Sequence, residues 1–134
     1  ITPLGWVTAD GGHVHHNTIV RPEKWILRIL QETRDTKFKP CHDGIFENNL
    51  IIYDSKIQVF VNIGPGTAPK TFEFRNNAWH NLDGNRKPAL PTPEQDSSYL
   101  SELKLSPNEL TTGKIALEDD RLKAIGAQAY KRPK

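Results

Sequence analysis

The chain has 134 residues, 36% of them hydrophobic and 25% charged, a composition that fits one globular domain able to bury a core without metal or disulfide staples. Its 18 basic and 16 acidic residues leave a net charge of +2 and are mixed along the chain, so no field argues for nucleic acid or anionic lipid as a partner. No apolar run of about 18 residues marks a membrane span, and no basic segment followed by an apolar one marks a signal peptide.

Taken in chain order, the first patterned segment is Val14-His15-His16-Asn17-Thr18-Ile19-Val20. It recurs without gaps as Phe46-Glu47-Asn48-Asn49-Leu50-Ile51-Ile52 and as Phe74-Arg75-Asn76-Asn77-Ala78-Trp79-His80. Each copy has an apolar residue, Asn three positions on, and an apolar residue two positions further, the self-similarity expected of stacked structural repeats. The first two copies are 32 residues apart, and the offset continues outside them: it pairs Gly12 with Gly44, Lys24 with Lys56, Trp25 with Ile57, Leu27 with Val59 and Ile29 with Val61. The third copy follows after 28 residues, as when a repeat keeps its strands and trims a surface loop. Asn tolerates the left-handed conformation that a sharp corner requires. Asn17, Asn49 and Asn77 are therefore expected to stack as a ladder of amides.

A second strand per repeat is read from alternation. In Gln58 to Ile63 the apolar Val59, Val61 and Ile63 point inward and Gln58, Phe60 and Asn62 outward. The offset then places Leu27 and Ile29 inside, with Ile26, Arg28 and Leu30 outside; Trp25 to Leu30 also suits a short amphipathic helix, but the repeat favours strand. Thr33 to Gly44 and Gly64-Pro65-Gly66-Thr67-Ala68-Pro69 read as turn-rich connections. The repeat ends after His80. Asn81 to Ser98, with Pro88, Pro91 and Pro93, reads as an irregular strap, and a short helix is expected near Asn108. The open end of such a stack needs a cover. The fold class expected is all-β: about three coils of a right-handed parallel β-helix over residues 1–82, with a strap and capping tail over 83–134 in the same domain. With no Met and an opening on Ile1-Thr2-Pro3, the chain is expected to be a fragment, a processed chain or an excised domain.

The segments Trp25-Ile26-Leu27-Arg28-Ile29-Leu30-Gln31-Glu32 and Phe60-Val61-Asn62-Ile63-Gly64-Pro65-Gly66-Thr67-Ala68-Pro69, the Asn-containing repeats and the closing Gly126-Ala127-Gln128-Ala129-Tyr130 resemble bacterial proteins of the pectin lyase-like right-handed β-helix superfamily. That resemblance implies a carbohydrate-active protein, extracellular or periplasmic, acting on an anionic polysaccharide as a lyase, with Ca²⁺ as a possible cofactor. The alternative is a non-catalytic terminal segment that caps a larger β-helix or associates with another chain. The superfamily includes lyases, hydrolases, esterases and members without catalysis, so fold alone does not choose between these readings.

On such a fold the outward face of one sheet carries the groove, and Arg28, Gln58, Phe60 and Asn62 are expected there. Arg28 would neutralise a uronate carboxylate and so ease deprotonation of the adjacent carbon. Lys24 or His15 would serve as base. His13, His15 and His16 are the densest titratable cluster, and His13 and His15 share one strand face, suited to proton transfer or substrate contact. A cupin-like metal site would also use His-x-His, but the carboxylate expected soon after is missing; His16 aligns with the corner residues Asn48 and Asn76. His42-Asp43 reads as a turn, and Trp79 and the lone Cys41 as packed residues. No nucleophile elbow, phosphate loop, dinucleotide fingerprint or zinc-type spacing is present.

Overall fold

The computed structural model describes residues 2–129 and 133–134; Ile1 and Tyr130, parts of the opening and closing segments read above, lie outside them. Ten strands are described: β1 (Leu4–Val7), β2 (Asp10–His15), β3 (Thr18–Val20), β4 (Leu27–Leu30), β5 (His42–Glu47), β6 (Leu50–Tyr53), β7 (Val61–Ile63), β8 (Glu73–Arg75), β9 (Ala78–Asn81) and β10 (Ser98–Tyr99). They form three sheets, ordered β1-β4-β7, β2-β5-β8 and β3-β6-β9-β10. Every pairing between these strands is parallel. The chain is all-β, and through β9 it visits the three sheets in rotation.

The repeat read from the sequence is the strand register. Gly12 pairs with Gly44, Val14 with Phe46 with Phe74, and Ile19 with Ile51 with Trp79. In the remaining sheet the register differs from the expected offset: Leu27 pairs with Val61 and Arg28 with Asn62, a separation of 34 residues. The turn after β6 is two residues longer than its predecessor, a shift that keeps the alternation of faces; the inward and outward roles differ from expectation because Val59 and Phe60 lie in that turn, before β7 begins at Val61. Phe60 and Ile26, expected outside, are each 1% exposed, while Val59 is 43% exposed. The ring of Phe60 meets Tyr53 edge-on at 5.1 Å and Trp79 at 6.3 Å. Its carbonyl accepts from both Ile26 and Leu27, so the corner tucks two successive residues inward. A buried aromatic ring removes far more apolar area from water than a valine would.

Gly12 and Gly44 answer to the aromatic residues inside. A Cβ at Gly12 would come within 2.6 Å of the Trp6 indole nitrogen, and one at Gly44 within 2.4 Å of the Phe72 ring. Trp6 and Phe72 meet edge-to-face at 5.2 Å in the space these two residues leave. They join Leu27, Ile29, Phe46, Ile51, Phe60, Phe74 and Trp79 in the main core.

The asparagine ladder forms. Asn17 Nδ2 donates to Asn49 Oδ1 at 3.0 Å, and Asn49 Nδ2 to Asn77 Oδ1 at 3.1 Å; each oxygen also accepts the backbone N–H of the Asn above it. The left-handed corner falls on the aligned residues His16, Asn48 and Asn76, with φ of 54°, 56° and 51°, and not on the ladder Asn that follows each of them.

The expected end cover is divided between two segments, and the repeat does not stop at His80. Gln95 bridges Arg75 in parallel, Ser98 and Tyr99 pair with Ala78 and Trp79, and Asp96 repeats the left-handed corner with φ of 55°. The strap thus lays a partial fourth layer on the third. Glu94 completes the ladder: Oε1 accepts from Asn77 Nδ2 at 2.7 Å and Oε2 from Trp79 Nε1 at 2.8 Å. The tail packs sideways rather than on the end. Ile115, Leu117 and Ile125 cover Leu50, Ile52 and Ala78 in a second core, so β6 is buried on both faces. Its helix α1 (Pro107–Thr112) starts with a Ser106/Glu109 capping box.

Candidate functional site

On β4, Leu27 and Ile29 are fully buried and Arg28 and Leu30 half-buried on the opposite face, the alternation a strand imposes. Gly5 and Asn62 stand beside Arg28 in the register. Gly5 presents no side chain, Asn62 Oδ1 accepts from Arg28 Nε at 3.1 Å, and the guanidinium lies 4.6 Å from the Trp25 ring centroid. These contacts leave Nη1 and Nη2 without a hydrogen bond among the described residues. A guanidinium fixed by one nitrogen and one ring face, with its two terminal nitrogens open, is arranged for a bidentate carboxylate.

Lys24 and Gln58 are exposed at the corners leading into this sheet, where the Lys24 carbonyl accepts from the Gln58 N–H at 3.1 Å. On the other flank, Phe38 is 49% exposed and lines an open depression with Gln31, Arg34 and Pro65. Arg28, Asn62, Lys24 and Gln58 therefore belong to one side of the molecule, and Phe38, unread in the sequence, flanks it. Phe60 does not belong: its ring is core, which removes it from any surface contact with substrate.

His13 and His15 stand on β2, in a different sheet from Arg28, so the expected set of Arg28 with His15 as base is split between two faces. On theirs, His13 Nε2 lies 2.6 Å from Glu47 Oε1, Glu47 Oε2 accepts from Arg75 Nε at 2.6 Å, and Arg75 reaches Glu73 at 3.3 Å. The His13 and His15 rings are 4.4 Å apart, and His15 Nδ1 is 2.7 Å from His16 Nδ1. Burial by itself would raise the Glu47 carboxyl, but hydrogen bonds from Arg75 and His13 together outweigh it and hold the group below the usual carboxylate value. Glu47 and Arg75 were readable as register neighbours of His15, because the three occupy one column of the repeat alignment; the Glu47 carboxylate itself turns to His13.

His42 and Asp43 do meet: Nδ1 is 2.6 Å from Asp43 Oδ2, and Nε2 is 3.0 Å from Asp10 Oδ1. The imidazole bonds Asp43 on its own strand, while Nε2, near Asp10, makes no hydrogen bond among the described residues. Cys41 is fully buried and unpaired.

Among the described residues no group of three or more His, Cys, Asp or Glu is placed to hold a metal ion. The Ca²⁺ implied by the resemblance thus finds no carboxylate cage here. Comparison with known proteins identifies no relative: no family, no curated protein and no solved structure gives a significant match to the chain.

Proposed function

We propose that the chain forms successive coils of a right-handed parallel β-helix that acts on an anionic polysaccharide in the extracellular or periplasmic space. The polymer lies along the outer face of the β1-β4-β7 sheet. Parallel strands visiting three sheets in rotation, with side chains stacked in columns, are what such a solenoid requires. The observation that carries the substrate class is Arg28, held by Trp25 and Asn62 with both terminal nitrogens open.

Arg28 bound to a uronate carboxylate spreads its negative charge and makes the neighbouring C–H more acidic. A base on the same side removes that proton as the glycosidic oxygen on the adjacent carbon leaves, giving an unsaturated uronate. Lys24 is the candidate base on that side; His15 is not. The placement of both imidazoles on another sheet favours a second reading, in which this segment binds the polymer and cleavage belongs to other coils or an associated chain.

The test is binding to polygalacturonate and alginate, with a neutral glucan as control, followed together with ultraviolet absorbance of the unsaturated product. Arg28→Ala is expected to weaken uronate binding about tenfold. Product lost with Lys24→Ala while binding persists supports the lyase; binding without product supports the second reading. Equal affinity for glucan and uronate, or indifference to Arg28→Ala, would overturn the assignment.

A further inference from the structure

A second cleft opens at the other corner of the fold, where the strap crosses the ends of β6 and β9. It holds about 170 Å³ and is lined by Tyr53, Trp79, Tyr99, Asn85, Arg86 and Lys87 among others. Pockets for drug-sized ligands run to roughly 300–1,000 Å³, so this one has room for a single ring. It is built rather than incidental. The buried Tyr53 hydroxyl donates to the Arg86 carbonyl, and burial pushes that hydroxyl up to about 12, so it remains the proton donor that pins the loop over the physiological range. Arg86 Nη1 and Nη2 donate to the Ile57 and Gln58 carbonyls at 2.6 and 3.0 Å, and its guanidinium lies 4.9 Å from the Phe60 ring centroid. The loop is tied down at three points.

The charge balance of the cleft is one-sided. Arg86 spends its donors on carbonyl groups and Lys87 rests 4.7 Å from the Tyr99 ring centroid; among the described residues neither has a carboxylate partner. Two cations beside aromatic walls favour an anion whose body is amphipathic, because the walls take apolar C–H groups while the ammonium takes the charge. Tyr99 is 44% exposed and Asn85 adds an amide at the rim. A flat aromatic anion would leave the amide idle, whereas a sugar acid uses the walls, the amide and the ammonium together.

We infer that this cleft binds one uronate ring, with Lys87 taking its carboxylate, Tyr99 and Trp79 lining its apolar side and Asn85 meeting a hydroxyl. The inference extends the polysaccharide reading with a second point of attachment outside the Arg28 face.

The experiment is a titration of the isotope-labelled chain with free galacturonate and free galactose, followed by amide chemical shifts in the native protein and in Lys87→Ala, Lys87→Glu and Arg28→Ala. Saturable shifts at Asn85, Lys87 and Tyr99 with galacturonate are expected, about tenfold weaker with galactose and with Lys87→Ala, and abolished by Lys87→Glu. Arg28→Ala should leave these shifts intact while weakening polymer binding about tenfold, so the two proposals fail separately. No saturable shift at these residues, equal response to galactose, or unchanged affinity in both Lys87 variants would overturn the cleft assignment. Lys87 is exposed, and its replacement leaves every bond that pins the loop in place.

Discussion

Two polar columns cross the same stacked layers a few residues apart, and they are built in opposite ways. One is Asn17-Asn49-Asn77-Glu94: largely buried, amide to amide, ended by a carboxylate that accepts the last donors. The other, on the outer face of β2-β5-β8, joins His13, Glu47, Arg75 and Glu73 through charged contacts in reach of water. A buried hydrogen bond adds about 1 kcal/mol when made, and an orphaned buried partner costs about 1–3 kcal/mol. An exposed ion pair contributes about 0–1 kcal/mol. The first column is thus a device for holding register, and the second leaves its groups available for contact with something else.

The comparison breaks most sharply at the middle rung. Asn49→Ala removes the acceptor of both the Asn17 N–H and the Asn17 amide, the donor to the Val14 carbonyl, and one partner of Asn77 Oδ1. Several buried groups are orphaned together, so a loss of about 3–4 kcal/mol is expected, read as a lower denaturant midpoint. The matching change in the exposed column, Arg75→Ala, should cost no more than about 1 kcal/mol. Equal losses from the two would mean that the columns do not differ as described.

The ladder, its three Asn and the core faces of β2, β3, β5, β6, β8 and β9 were legible because a repeat with a gapless motif fixes register directly. The β4–β7 sheet was misregistered because a turn length is invisible to an alignment built on strands, and alternation could not weigh Phe60 against Val59 for one interior place. The corner at His16, Asn48 and Asn76 was legible from the alignment, and the ladder Asn beside it does not share the left-handed conformation: His16 and Asp96 turn at the corner as Asn does, while the ladder position needs an amide. Glu94 was missed because the fourth layer keeps the backbone path and drops the motif, leaving Glu94 in register with Phe74. Arg28 and Asn62 were legible as outward-facing by alternation, although the expected offset set Phe60 rather than Asn62 beside Arg28. Their separation from His13 and His15 was not, since assignment to one face or another depends on which of the three sheets each strand joins.

Glu94 gives a smaller and more selective test. Its two oxygens accept only donors: Asn77 N and Nδ2 on one, Trp79 Nε1 on the other. Glu94→Gln keeps the shape but turns one acceptor into a donor facing a donor. A cost of about 1–2 kcal/mol at neutral pH is expected. Unchanged or raised stability would show instead that relief from burying a charge outweighs the lost acceptor, and that the ladder needs no carboxylate at its end.

The smallest effect, and the one that separates the columns by sign, is in pH. Burial raises the Glu94 carboxyl above its ordinary 4.5 despite hydrogen bonds from Asn77 and Trp79, so between 4.5 and its folded value the native chain binds more proton than the unfolded one. Acidification through that window therefore stabilises the fold. Glu47 is held below 4.5, burial being outweighed by Arg75 and His13; its contribution is present above 4.5 and is lost as pH falls through its lower folded value. Denaturation midpoints measured across acid pH should show Glu94→Gln removing slope above 4.5 and Glu47→Gln removing slope below it, with opposite signs. The same sign from both substitutions would mean that the carboxylate ending the buried column is solvated like the one in the exposed column, and the contrast between them would fail at its charged ends.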